Sequence, residues 1–224
     1  MKSFAYLLVL LVAFFSAVAS AQWTGLVINK CSYPLYAKTT RQIDPDGLGL
    51  DSKIVEVPAN GGTYSAAWLP QFGNGEDLSN AGAKGVTIKL EKANDPGFVT
   101  GHVYQIEYTP YWYKTTDNKK LSADLSVVDG NPLANVNRYL AITVGGAILD
   151  PHRCESSITA FNHHSVLLCE AGADPCLYEW QRHHERNVMP ADESCPPMNT
   201  KPECSHPIEC SVGEAGQVQF TACA

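Results

Sequence analysis

Two short stretches, HVYQIEYT (102–109) and SADLSVVDGNPL (122–133), decide how this chain folds. Each alternates apolar and polar residues with a period of two, the signature of a half-buried β-strand. In the first, Tyr104, Ile106 and Tyr108 fall on one side, and Gln105, Glu107 and Thr109 on the other. In the second, Ala123, Leu125 and Val127 face one way, and Asp124, Ser126 and Val128 the other. Glu107 and Asp124 therefore each belong to a polar strand face. Asp129 opens DGNP, where Asp-Gly favours a tight turn, so its side chain either folds back toward the Asp124 face or caps its own turn.

The same texture extends on both sides. GLVINKC, IVEVP, GTYSAAW, GVTIKL and LAITVGGAIL are further alternating runs, separated by DPDGLG, PANGG, FGNGED and DGNP. Long helical periodicity is absent from this part. Seven or more short strands between turn signals predict a mainly β protein, an antiparallel sandwich or barrel, with its core over 22–153. From Cys154 the composition changes to a Cys-rich lobe, 154–224. There ADPCLYEWQRHHER (173–186) predicts a short helix, with Asp174 as N-cap, Pro175 at the first position and Leu177, Trp180, Gln181 and His184 on one face. GQVQFTACA closes the chain as a strand that returns to the sandwich.

The N-terminus carries Lys2, an apolar run and small residues ending Ala19-Ser20-Ala21, which predicts a secretory signal peptide over 1–21, cleaved before Gln22. No later segment is long and apolar enough to span a bilayer, so the expected location is extracellular or cell-wall associated. Eight cysteines, an even set in an oxidising compartment, point to a disulfide framework and away from metal ligation. Cys31 stands alone in the first two-thirds of the chain, while Cys154, Cys169, Cys176, Cys195, Cys204, Cys210 and Cys223 crowd the last third. If all eight pair, Cys31 reaches across the whole β-rich portion. The net charge of −7 argues against nucleic acid and anionic membranes, because the Lys and Arg that would neutralise phosphates are missing.

Three segments, in order, resemble the thaumatin-like family: VINKCSYPLYA (27–37) its opening strand, QIEYT followed by SADLSVVDGN its acidic strand pair, and VQFTACA (218–224) its closing strand with a last cysteine. The brevity of the Cys-rich part makes the chain most similar to the short fungal branch of secreted proteins, the Bys1 (yeast-phase-specific) type. The resemblance implies a thaumatin-like sandwich and a bridge between Cys31 and Cys223, with the other six pairings open. It also implies that Glu107, Asp124 and Asp129 line an acidic cleft.

Three function classes follow. The first, implied by the resemblance, is a non-enzymatic secreted monomer that binds cell-wall polysaccharide of the β-1,3-glucan class or a host surface component. The second is a weak endo-β-1,3-glucanase with Glu107, Asp124 and Asp129 as its acid and base groups. The third is an effector or allergen that recognises a host protein. A structural reading stands beside them, in which Asp124 is a solvated strand residue and Asp129 an Asx turn. Tyr111, Trp112 and Tyr113 in YTPYWY form a second candidate ligand surface, since aromatic rings stack on sugar faces, and the preceding Pro110 predicts that at least one lies on a loop. His163-His164 and His183-His184-Glu185 lack metal-ligand spacing, so no metal or other cofactor is expected. No Gly-x-Ser-x-Gly elbow or phosphate-binding glycine loop occurs.

Overall fold

The computed structural model of the protein describes residues 23–42, 49–68, 85–92, 98, 102–112, 119–156, 165–173, 179–180, 208–213 and 215–224. Their fifteen strands, β1 to β15 in chain order, form two sheets. The six-stranded sheet contains β1 (Thr24–Asn29), β5 (Gly62–Ala67), β9 (Arg138–Val144), β10 (Ala147–Ile148), β12 (Val166–Cys169) and β15 (Gln217–Ala222). It runs β10-β9-β15-β1-β5, with β12 also on β9. The nine-stranded sheet contains β2 (Leu35–Gln42), β3 (Gly49–Asp51), β4 (Val55–Val57), β6 (Val86–Lys92), β7 (Val103–Trp112), β8 (Lys119–Asp129), β11 (Cys154–Ser156), β13 (Glu179–Trp180) and β14 (Ile208–Ser211). It runs β11-β14-β8-β7-β6-β2-β3, with β13 on β8 and β4 on β2. The fold is the expected sandwich, mainly antiparallel; the exceptions are β1 with β15 and β13 with β8, which pair in parallel.

The period-two pattern explains the packing. Val27, Val218, Phe220, Leu140 and Ile142 point inward from one sheet, and Ala37, Ile88, Leu90, Tyr104, Ile106, Tyr108, Leu121 and Leu125 from the other, all buried in one core. Tyr104 and Phe220 meet across the layers with ring centroids 5.4 Å apart. The hydroxyl of Tyr108 donates to the carbonyl of Ala66 at 2.6 Å, joining the sheets by a polar contact. The layers approach most tightly at Gly25, where a Cβ would stand 2.7 Å from both Ile88 Cδ1 and Tyr108 Cε1. Any larger residue there would have to displace the core.

Buried polar groups hold the ends of the sandwich. The fully buried Asn29 donates from Nδ2 to the carbonyls of Tyr33 and Val57, at 2.9 and 3.0 Å, and accepts from the Cys31 amide at 3.0 Å. It thereby ties the chain after β1 to the β4–β5 connection. Arg138 is also fully buried; its guanidinium donates to the carbonyls of Leu133, Val136 and Ala173, each at 2.8 Å, and lies 5.9 Å from the Tyr104 ring centroid. A buried cation is tolerated when several carbonyl dipoles and a ring face replace its water.

Cys31 is bridged to Cys223, the pair that the resemblance implied. Cys154 is bridged to Cys210, directly opposite it on β14. Cys169 is also disulfide-bonded, and its partner lies outside the described residues, as do Cys176, Cys195 and Cys204. The four cysteines that remain allow three connectivities.

One sequence expectation changes. The helix over 173–186 is not found where that segment is described: Glu179 and Trp180 form β13, pairing with Leu125 and Ser126. β8 runs past the last β14 partner at Ala123, leaving unpaired backbone that a passing chain satisfies better than an isolated helical turn would. Pro110 continues β7 opposite Leu121 of β8, at a position beyond the last β6 pair, Val86–Tyr108. Tyr111 and Trp112 are strand residues opposite Lys120 and Lys119, and Tyr113 lies outside the described residues. The described strands after residue 153 belong to both sheets: β12 and β15 to the six-stranded one, β11, β13 and β14 to the other.

The Cys31–Cys223 bridge closes a sequence separation of 192 residues. Its removal in a Cys31→Ala, Cys223→Ala variant should lower unfolding free energy by about 2–5 kcal/mol, read by chemical denaturation. Wild-type stability in that variant would mean that strand pairing alone restrains the termini.

Candidate functional site: a polar face on the nine-stranded sheet

Strands β2, β6, β7 and β8 turn their apolar residues into the core, so their alternate residues share the opposite face. One row across it is Thr40, Thr87, Glu107 and Asp124, each paired with the next. The adjacent row is Lys38, Lys89, Gln105 and Ser126. Glu107 and Asp124 are direct cross-strand partners, a relation that places Cβ atoms about 4.5–5.5 Å apart.

Asp129 joins them through an irregularity. Between the pairs Val103–Asp129 and Gln105–Ser126, β8 advances one residue more than β7, a β-bulge. Val127 packs against the core, and the strand beyond it is re-aimed. Asp129 Oδ2 consequently accepts from Gln105 Nε2 at 3.2 Å and lies 3.5 Å from Lys89 Nζ. Of the two sequence alternatives, the side chain folds back toward the Asp124 face.

A second ion pair flanks the first. Lys38 Nζ lies 2.8 Å from Asp51 Oδ2, and Asp51 Oδ1 accepts from the Thr40 hydroxyl at 2.8 Å. The hydrogen bond from Lys38, with that from Thr40, holds the Asp51 carboxyl below its ordinary range despite slight burial. Lys38 and Lys89 are register partners, yet each ammonium faces its own carboxylate, so the like charges are separately neutralised. Asp124 Oδ1 accepts from the Leu125 amide at 2.8 Å.

Glu107 is electrostatically distinct. Burial pushes its carboxyl above the ordinary glutamate value; Asp129 adds to that rise, while Lys89 and a hydrogen bond with Thr87 oppose it. Gln105, Ser126 and Glu91 on this face are buried, at 4%, 0% and 0% exposure, so it is not a freely solvated sheet surface. Chemically, the face offers a carboxyl biased toward its protonated form beside carboxylates anchored by Lys89 and by backbone. Such a set can exchange hydrogen bonds with hydroxyl-rich ligands.

Lys89 escaped the sequence reading, although GVTIKL places it opposite Val86, Ile88 and Leu90. Its position beside Asp129 depends on β6 being the neighbour of β7, which periodicity does not encode. Glu209, opposite Ser122, extends the acidic character onto β14. The side chains of Tyr111 and Trp112, together with Tyr113, His163, His164, His183, His184 and Glu185, lie outside the described residues. Among the described residues no group of His, Cys, Asp and Glu is placed to hold a metal ion.

No family model matches the chain, and neither does any curated protein. Among solved structures it is similar to the protein elicitor MoHrip2 from Magnaporthe oryzae, with 18% identity and a TM-score of 0.48, covering 90% of this chain and 99% of that one.

Because the folded-state pKa of Glu107 lies above its unfolded value, its protonation stabilises the native state. That contribution is fully present below the unfolded value near 4.5 and is lost as pH rises through the folded one. Glu107→Gln removes the loss, so the Tm of the variant relative to wild type should be higher at about pH 7 than at about pH 4. A pH-independent difference in thermal melts would show that Glu107 is not desolvated.

Proposed function

We propose that the protein is a secreted, non-enzymatic member of the thaumatin-like superfamily, of the short fungal type, that binds neutral cell-wall polysaccharide of the β-1,3-glucan class through the polar face of β6, β7 and β8. The convergence of Glu107, Asp124 and Asp129 around Lys89 and Gln105 carries this reading. Carboxylates, an amide and an ammonium on one pleated surface match the alternating donors and acceptors of a glycan. A neutral polymer also suits a chain of net charge −7, since no like charge must be brought together. Secretion is supported by the signal-like N-terminus and by the disulfides; among the described residues no helix is long and apolar enough to cross a membrane.

Isothermal titration with a soluble β-1,3-linked gluco-oligosaccharide tests the site. Asp124→Asn, Asp129→Asn should weaken binding by about tenfold or more, the loss of about 1.4 kcal/mol or more, while the fold is retained. Equal affinity in wild type and variant would remove the acidic face from ligand binding.

The raised pKa of Glu107 favours a second reading, hydrolysis with Glu107 as proton donor and Asp124 or Asp129 as the ionised partner. It requires release of new reducing ends by wild type and their loss in Glu107→Gln. Binding without release in wild type rejects it.

A further inference from the structure

The two outer faces of the sandwich differ in charge. The nine-stranded sheet displays Lys38, Asp51, Lys89, Glu107, Asp124 and Asp129 on its outer side. The outward positions of the six-stranded sheet number three on each of β5, β1, β15 and β9, two on β12 and one on β10. Among these described positions there is no Lys, Arg, Asp, Glu or His. Soluble surfaces carry roughly 25–35% charged residues, so several would be expected here. Instead Thr24, Thr63, Ser65, Ala67, Gln217 and Gln219 alternate with Leu26, Ile28, Tyr139, Val166, Leu168 and Ile148, all at least partly exposed, while Ala141, Thr143 and Thr221 are buried between them. Leu168 and Ile148 are 48% and 56% exposed.

We propose that this uncharged face is a docking surface for a neutral polysaccharide, distinct from the acidic face on the other side of the sandwich. The inference rests on the reading of the protein as a polysaccharide binder and assigns it a second contact. Covering an ion with an uncharged polymer would strip its water without supplying a counter-charge, so a face suited to such a polymer must lack ions. Hydroxyl and amide side chains between apolar ones match the hydroxyl edges and C–H faces of sugars.

Size argues against the other occupants. Strands about 4.8 Å apart, with outward residues spanning about 14–17 Å along each, make a patch of roughly 300–400 Å². A stable dimer or protein complex needs about 800 Å² from each partner. A polymer offers many adjacent equivalent sites, so a small contact can still retain the protein by repeated rebinding.

The test is depletion onto insoluble β-1,3-glucan of the full chain, expressed in a secreting host and carrying Asp124→Asn, Asp129→Asn so that the acidic face does not contribute. Ile148→Lys, Leu168→Lys alters side chains that are already exposed, and Gln219→Glu places one charge near the centre; thermal melts check folding. We expect retention of this parent that is insensitive to added salt, and a loss of about tenfold or more when either face variant is added to it. Undiminished retention by the folded face variants overturns the proposal, as does failure of the parent to bind. A wild-type dimer in sedimentation velocity that the face variants dissociate also overturns it, assigning the face to a second copy; capture of a protein partner that they abolish would do the same. If oligosaccharide binding depends on Asp124 and Asp129 but depletion ignores the face variants, this inference fails alone. If depletion follows the face variants and oligosaccharide binding is absent, the acidic-face reading fails alone.

Discussion

The parallel pairing of the first strand with the last is the constraint on which the rest of the molecule depends. β15 lies between β1 and β9, so without it the six-stranded sheet separates into a β1–β5 pair and a β9-centred fragment. Neither piece could cover the apolar face of the nine-stranded sheet. Val218 and Phe220 enter the core from β15, and Phe220 meets Tyr104 on β7, so the same strand joins sheet to sheet. The pairing unites residues nearly two hundred positions apart, and its loop-closure entropy must be offset before any contact forms. The Cys31–Cys223 bridge sits immediately beyond the last paired residues and restrains that search in the unfolded chain.

The polar face is a consequence of this frame. Once the inner residues of β6, β7 and β8 are committed to the core, Lys89, Glu107 and Asp124 have no choice but the opposite side. The bulge near Val127 then adds Asp129, which strict alternation alone would not have aimed at Lys89. One extra residue in a ladder thus changes the electrostatics of the face: it supplies Lys89 with a carboxylate and raises the protonation tendency of Glu107 through a neighbouring negative charge.

Much of the fold was legible because strand periodicity is a local property. The runs HVYQIEYT, SADLSVVD and GVTIKL appear as strands with their apolar faces inward, and Glu107 and Asp124 lie on the polar side that alternation assigns. Short or late strands were harder. β11, β12 and β14 are three or four residues long and sit among cysteines and turns, where a period of two has too few repeats to stand out. The segment around Trp180 has helix-compatible spacing, yet the unpaired edge of β8 draws it into a strand, a tertiary effect that overrides local propensity. Arg138 reads as an ordinary surface cation in RYLAITV, and nothing nearby announces that carbonyls of Leu133, Val136 and Ala173 converge on it.

Sequence by itself determined the β class, the facing of each long strand and, through the lone early cysteine, the need for a bridge from Cys31 to the Cys-rich last third once all thiols pair. Those follow from side-chain alternation and from parity of thiols, which require no knowledge of distant neighbours. Tertiary structure alone decided that β6 flanks β7, that Cys154 faces Cys210, that Asp129 turns back to Lys89 and that, among the described residues, one outer face carries charge while the other carries none. These are matters of register between strands far apart in the chain, which are set by turns, a bulge and the packing of two sheets together rather than by any local pattern.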